Sequence, residues 1–154
     1  MRRFRENDGR ALSVAGGGCD EAHDHIKAGM TLMIPFQATP VLHVKNLTKS
    51  LVYYTGVLGF KAVFSWGTPP FYAGVRYKSV VIHLNQAPDA TDRRGKGAVY
   101  IFVSSGVDRY YGKVVKAGAK IIGAPPQWYE YGLKDFKLAD PDGNWLSFGE
   151  ERPA

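Results

Sequence analysis

Displaced along itself by 59 residues, this chain falls into step with its own second half (99 − 40 = 59). Pro40-Val-Leu-His-Val44 lands on Val99-Tyr-Ile-Phe-Val103, Asn46 on Ser105, Gly59 on Gly118 and Lys61 on Lys120. Such a repeat marks one supersecondary unit used twice, and the residue types inside it say what the unit is. Asn46 and Ser105 suit helix N-caps, because their side-chain oxygens accept from the unpaired N–H groups of a first turn. Leu47, Leu51, Tyr54 and Leu58 then recur as one buried helix face, and Val107, Tyr110 or Tyr111, Val114 and Ala117 do the same. Gly59 and Gly118 stand where a glycine closes each helix.

In the first copy three strand-like runs follow: Phe60 to Trp66, Phe71 to Tyr77, and Val80 to Asn85. A polar loop then runs from Gln86 to Gly97. The second copy continues through Ala119 to Ile122, a longer loop holding Pro125, Pro126 and Trp128, and a hairpin over Tyr131 to Gly149. The hairpin turn is Asp140-Pro-Asp-Gly-Asn144, in which Pro141 presets φ and Gly143 permits positive φ. Each copy is thus β-α-β-β-β. The expected fold is α+β: two βαβββ modules, 36–86 and 97–151, forming a curled sheet around a cleft, with the helices outside. Residues 1–33 lack sustained periodicity and are expected to be a flexible N-terminal extension to a domain spanning 34–154.

Strand alternation populates the cleft. Thr39, Val41 and His43 share the face away from the helices, as do Val81, His83 and Asn85. Ala98, Tyr100 and Phe102 match them in the second copy, with Trp145, Ser147 and Gly149. The candidate ligand-binding residues are His43, His83 and Asn85 among the polar groups and Trp66, Tyr100, Phe102, Trp128 and Trp145 among the aromatics. Each histidine has two readings: it fills space and bonds a neighbouring strand, or it contacts a ligand. Trp128 and Tyr129 either cap the cleft or pack against it. Alternation places no carboxylate inward to orient an imidazole, so no acid–base pair is read, and no catalytic residue is assigned.

Four segments occur in order: Pro40-Val-Leu, Tyr53-Tyr-Thr-Gly-Val-Leu-Gly-Phe60, Val80-Val-Ile-His-Leu84, and the DPDGN hairpin. Together they resemble the vicinal oxygen chelate superfamily, which holds glyoxalase I, extradiol dioxygenases, and the fosfomycin- and bleomycin-resistance proteins. The resemblance covers about 36–151 and is closest in kind to the bleomycin-resistance branch. It implies a homodimer whose clefts are completed by the partner, and, in the metalloenzymes, metal ligands at the positions of Thr39, Val81, Ala98 and Ser147. None of these is His, Asp, Glu or Cys, whereas a catalytic metal site uses about three protein ligands. Neither metal nor cofactor is therefore expected. The resulting reading is a metal-free protein that binds a small aromatic, drug-like molecule and acts by sequestration, as in antibiotic resistance. It leans towards binding rather than catalysis. The alternatives are a metal-dependent glyoxalase- or dioxygenase-type enzyme with displaced ligands, and an interaction domain whose cleft its own aromatics fill.

Composition narrows the partners. Residues 1–34 carry five basic and five acidic residues, so the net charge of +6 belongs to the remainder. Its lysines are scattered, and only Arg93-Arg94-Gly-Lys96 forms a tight basic group, so nucleic acid is not an expected partner. A neutral or anionic ligand suits this charge better than a cation. Cys19 is the one cysteine, which excludes an intramolecular disulfide and points to a cytoplasmic protein. No apolar run approaches the length of a membrane span.

Overall fold

The computed structural model describes residues 37–86 and 88–153; the extension expected over 1–33 lies outside them. The first module runs β1 (Val41–His43), α1 (Leu47–Gly56), β2 (Lys61–Gly67), β3 (Pro70–Tyr77) and β4 (Val80–Asn85). After a 3-10 turn at Pro88–Arg93 the second runs β5 (Ala98–Val103), α2 (Val107–Lys116), β6 (Lys120–Trp128), β7 (Leu133–Ala139) and β8 (Trp145–Glu151). Two four-stranded sheets result, ordered β1-β4-β3-β2 and β5-β8-β7-β6, and they do not close into one. In each, the first strand runs parallel to the last, and the other pairs are antiparallel. The repeat is thus a repeat of topology.

The helices begin differently. Asn46 caps α1 as expected, its side chain accepting from the Lys49 N–H at 2.9 Å. Ser105 does not cap α2. The N-cap there is Gly106, at φ 89°, with no side chain to accept a bond. Glu150 of β8 supplies the acceptor instead, 2.9 Å from the Val107 N–H, and a carboxylate at that end also suits the helix dipole. The second copy's loop is shorter than expected, since β6 extends to Trp128. Its ladder with β7 is broken between Ile122 and Gln127, where Pro125 and Pro126 have no N–H to donate.

Alternation sorts the strands as expected. Leu42, Ile82, Leu84, Ile101, Leu146 and Phe148 are buried, while Val41, Tyr100, Phe102 and Trp145 are exposed. The buried residues of both modules and both helices form one cluster, so the helix-covered faces meet. The helices lie in this seam and not outside, because their polar groups bond across it. Tyr110 Oη of α2 donates to the Leu58 carbonyl at 2.8 Å, and Tyr53 Oη of α1 to the Ala139 carbonyl at 3.1 Å.

The strongest fastening is the DPDGN turn. Asp140 Oδ1 accepts from the N–H groups of Asp142, Gly143 and Asn144, all at 2.9 Å. Its Oδ2 accepts from Asn144 Nδ2 at 2.8 Å and from Tyr54 Oη at 3.1 Å. Asp142 accepts from the Lys45 N–H and the Ser50 hydroxyl, and Asn144 donates to the His43 carbonyl. Burial pushes the Asp140 carboxyl above its ordinary range, and the bonds from Asn144, Tyr54 and Asp142 hold it back. Burial and the Asp140 charge raise the Tyr53 phenol to about 12. One turn of the second module therefore holds the first helix of the other. No helix among the described residues is long and apolar enough to cross a membrane.

Candidate functional site: two open sheet faces

With the helix-covered faces joined, the opposite face of each sheet is left uncovered by the other described residues. Directly paired residues share a face, so the ladder register assigns every side chain. On the first sheet Phe64, Gly74, His83 and Val41 form one cross-strand row, and Trp66, Tyr72, Asn85 and His43 the next. Phe64 packs over Gly74, where a Cβ would collide with its ring. Its ring stacks against Tyr72 and meets the edge of His83, at centroid separations of 6.2 and 5.1 Å. Tyr72 Oη lies 3.0 Å from His83 Nδ1. His43 has its Nδ1 buried with no hydrogen-bond partner. Trp66 is 70% exposed on the edge strand.

On the second sheet the rows are Tyr100, Ser147, Lys137 and Ile122, then Phe102, Gly149, Asp135 and Gln127. Tyr100 lies across Gly149, where no side chain would fit beneath it. Tyr100 and Tyr131 both donate to Asp135 Oδ2, at 2.8 and 3.0 Å. Burial first, and then this bond and the Asp135 charge, raise the Tyr100 phenol above its ordinary value. Phe102 packs on Tyr100 at 4.9 Å, and Lys137 Nζ sits 4.6 Å above the Trp145 ring.

The expected site residues therefore fall into two groups. His43, His83, Asn85 and Trp66 lie on the first face, and Tyr100, Phe102 and Trp145 on the second. Trp128 joins neither. Its partner Lys134 pairs in turn with Glu150, the cap of α2, so all three are on the helix side. There Lys134 and Arg152 approach the Trp128 ring, and Lys134 bonds Asp108. Asp135 corrects the expectation that no carboxylate lies on these faces, although it bonds Tyr100 and Tyr131 and not an imidazole. The signal was available, since Phe136 and Leu138 as core residues put Asp135 and Lys137 on the other face of β7.

Register also corrects the internal equivalence. Val41 and Tyr100, 59 residues apart (100 − 41), pair with His83 and Ser147. His83, not Val81, is thus the counterpart of Ser147. With His83 in place of Val81, the donors at the positions that the resemblance assigns to a metal are one imidazole, already bonded to Tyr72, and the hydroxyls of Ser147 and Thr39. That set does not fit a transition metal, which needs about three nitrogen, sulfur or carboxylate ligands. Among the described residues no group of three or more His, Cys, Asp or Glu comes together.

Comparison identifies the fold that carries these faces. The family model described as the Glyoxalase/Bleomycin resistance protein/Dioxygenase superfamily matches residues 36–148, and the chain belongs to that superfamily. No curated protein matches it. Solved structures share its fold. One is TnmS3, an antibiotic binding protein from Streptomyces sp. CB03234, with a TM-score of 0.65 and 19% identity, covering 79% of this chain and 100% of that one. A bleomycin resistance determinant encoded on the transposon Tn5 gives 0.64 and 18%, covering 77% and 100%. A superfamily member from Sphaerobacter thermophilus DSM 20745 gives 0.66 and 24%, covering 78% and 100%.

Proposed function

We propose that this chain is a small-molecule binding protein acting by sequestration, and that its cleft forms between two copies. The β1–β4 face of one chain would lie against the β5–β8 face of its partner. The observation that carries this reading is the pair of uncovered aromatic faces at matching places in the two modules. Each bears rings held by their neighbours and a fixed polar group, Tyr72 with His83 on one and Asp135 with two phenols on the other. Large apolar patches left exposed mark interaction surfaces, and aromatic walls with a few placed polar groups mark ligand sites. The ligand class is a planar aromatic, drug-like molecule, neutral or anionic in keeping with the +6 charge and with Lys137 on the face. Structural neighbours that include an antibiotic binding protein and a bleomycin resistance determinant favour this reading. A metal-dependent enzyme is not favoured, on the donor set alone.

Two measurements test it. Light scattering is expected to give twice the 17.0 kDa of one chain. Titration with bleomycin and a panel of planar aromatics is expected to quench tryptophan fluorescence saturably for at least one compound, through Trp66 and Trp145. A monomer that no compound quenches would overturn the proposal.

A further inference from the structure

A cavity of about 270 Å³ opens in the seam between the modules, on the helix side and away from both open faces. One wall is a line of four rings crossing from one module to the other. Phe60 meets Tyr77 at 5.5 Å, Tyr77 meets Tyr110 at 5.6 Å, and Tyr110 meets Phe148 at 4.8 Å. The Tyr110 hydroxyl is taken up by the Leu58 carbonyl, so that ring offers its face rather than a donor. The rim has a different character. Arg109 and Lys113, four residues apart on α2, both line the cavity, and that spacing places two cations one turn apart on one side of a helix.

Nothing described neutralises them. Among the described residues neither Arg109 nor Lys113 forms an ion pair, and the two acids that bond at the head of this helix are engaged elsewhere. Glu150 accepts from the Val107 N–H, and Asp108 bonds Lys134. Like charges at this spacing repel mildly, and an anion between them would turn the repulsion into two charge-assisted hydrogen bonds. Ligand pockets span roughly 300–1,000 Å³, so a cavity of this size suits one or two rings.

We propose that this seam cavity is a second ligand site, which takes a small aromatic monocarboxylate with its rings on the Phe60–Tyr77–Tyr110–Phe148 wall and its carboxylate between Arg109 and Lys113. The site is separate from the sheet faces and does not depend on the reading given for them. None of the three tryptophans lines it, so the two sites have different reporters.

The test is a titration of the full chain with naphthoate, and with naphthylmethanol as the uncharged analogue, followed by amide NMR spectra. Saturable shifts are expected at Gly106, Val107 and Tyr110. In the double variant Arg109→Gln, Lys113→Gln the Kd for naphthoate is expected to rise about tenfold or more, while that for naphthylmethanol stays the same. Both side chains are exposed, so the variant is expected to fold, and its unshifted spectrum elsewhere checks this. Tryptophan quenching by open-face ligands should be unchanged in it. Absence of saturable naphthoate binding, shifts confined to Tyr100 and Trp145, or an unchanged Kd in the double variant would each overturn the seam site and leave the sheet-face reading standing.

Discussion

On the β1–β4 face Phe64, Tyr72 and His83 hold one another through ring contacts and one hydrogen bond, whereas on the β5–β8 face two phenols converge on Asp135 and Lys137 lies over Trp145. Both faces use one device. A glycine on a middle strand, Gly74 or Gly149, removes the Cβ that would lift the ring above it. They differ in charge. The first sets an imidazole among its rings, with Lys61 and Arg76 further along in the row of Val81; the second sets a carboxylate and an ammonium directly against its rings. The two modules share the frame and the places where rings lie flat, and differ in the chemistry each face presents. In a cleft built from one face of each kind, the first would supply stacking and the second would orient.

The largest expected effect breaks the frame on which both faces rest. Asp140→Ala leaves three backbone N–H groups, Asn144 Nδ2 and Tyr54 Oη without their acceptor. The unfolding free energy is expected to fall by about 3 kcal/mol or more, measured by urea denaturation. A loss under about 1 kcal/mol would mean that the turn is not a shared fastening. Next come the two glycines. Gly74→Ala and Gly149→Ala should each cost about 1–3 kcal/mol, since each added methyl overpacks a ring. Gly149→Ala should also displace Tyr100 from Asp135, whereas Gly74→Ala should leave that bond intact, which aromatic NMR would show.

Smaller still are the effects on ligand binding. His83→Ala and Asp135→Asn are each expected to weaken a quenching ligand by about 1 kcal/mol, through loss of an orienting bond on one face or the other. Equal tolerance of both would remove the distinction between the faces. The smallest effect concerns pH. The folded Tyr100 phenol titrates above its ordinary value of 10.0, first through burial and then through Asp135. Its contribution to stability is therefore complete below pH 10.0 and is lost as pH rises through the folded value. Asp135→Asn should move its ionisation back towards the ordinary value, read by ultraviolet absorbance, with no change near neutrality.

Local chemistry made much of this legible. Asn46 as a cap, the DPDGN turn and the alternation of Leu42, Leu84 and Leu146 each follow from residues a few positions apart. What escaped depends on residues far apart in sequence. Glu150 replaces Ser105 at the head of α2 because β8 returns beside it, and no local pattern carries that. Trp128, expected in a loop, instead ends β6 beyond the break at Pro125 and Pro126, and its side is set by its pairing with Lys134, which no local pattern carries. That the helix faces meet, leaving the candidate site in two parts, rests on bonds such as Tyr54 to Asp140, which are 86 residues apart. Asp135 was readable and needed only the alternation of β7 to be followed to its other face.

The capping of the two helices sets an order of events. α1 is closed by Asn46, three residues from the N–H it accepts, so its first turn can form as soon as that stretch of chain exists. The Val107 N–H at the head of α2 finds its acceptor in Glu150, 43 residues further on, so that bond requires β8 to be in place. Contacts between distant residues require loop closure before they reward it and slow folding accordingly. The first helix therefore carries its starting signal within its own stretch of chain, whereas the second takes its signal from the strand that also completes the sheet beside it.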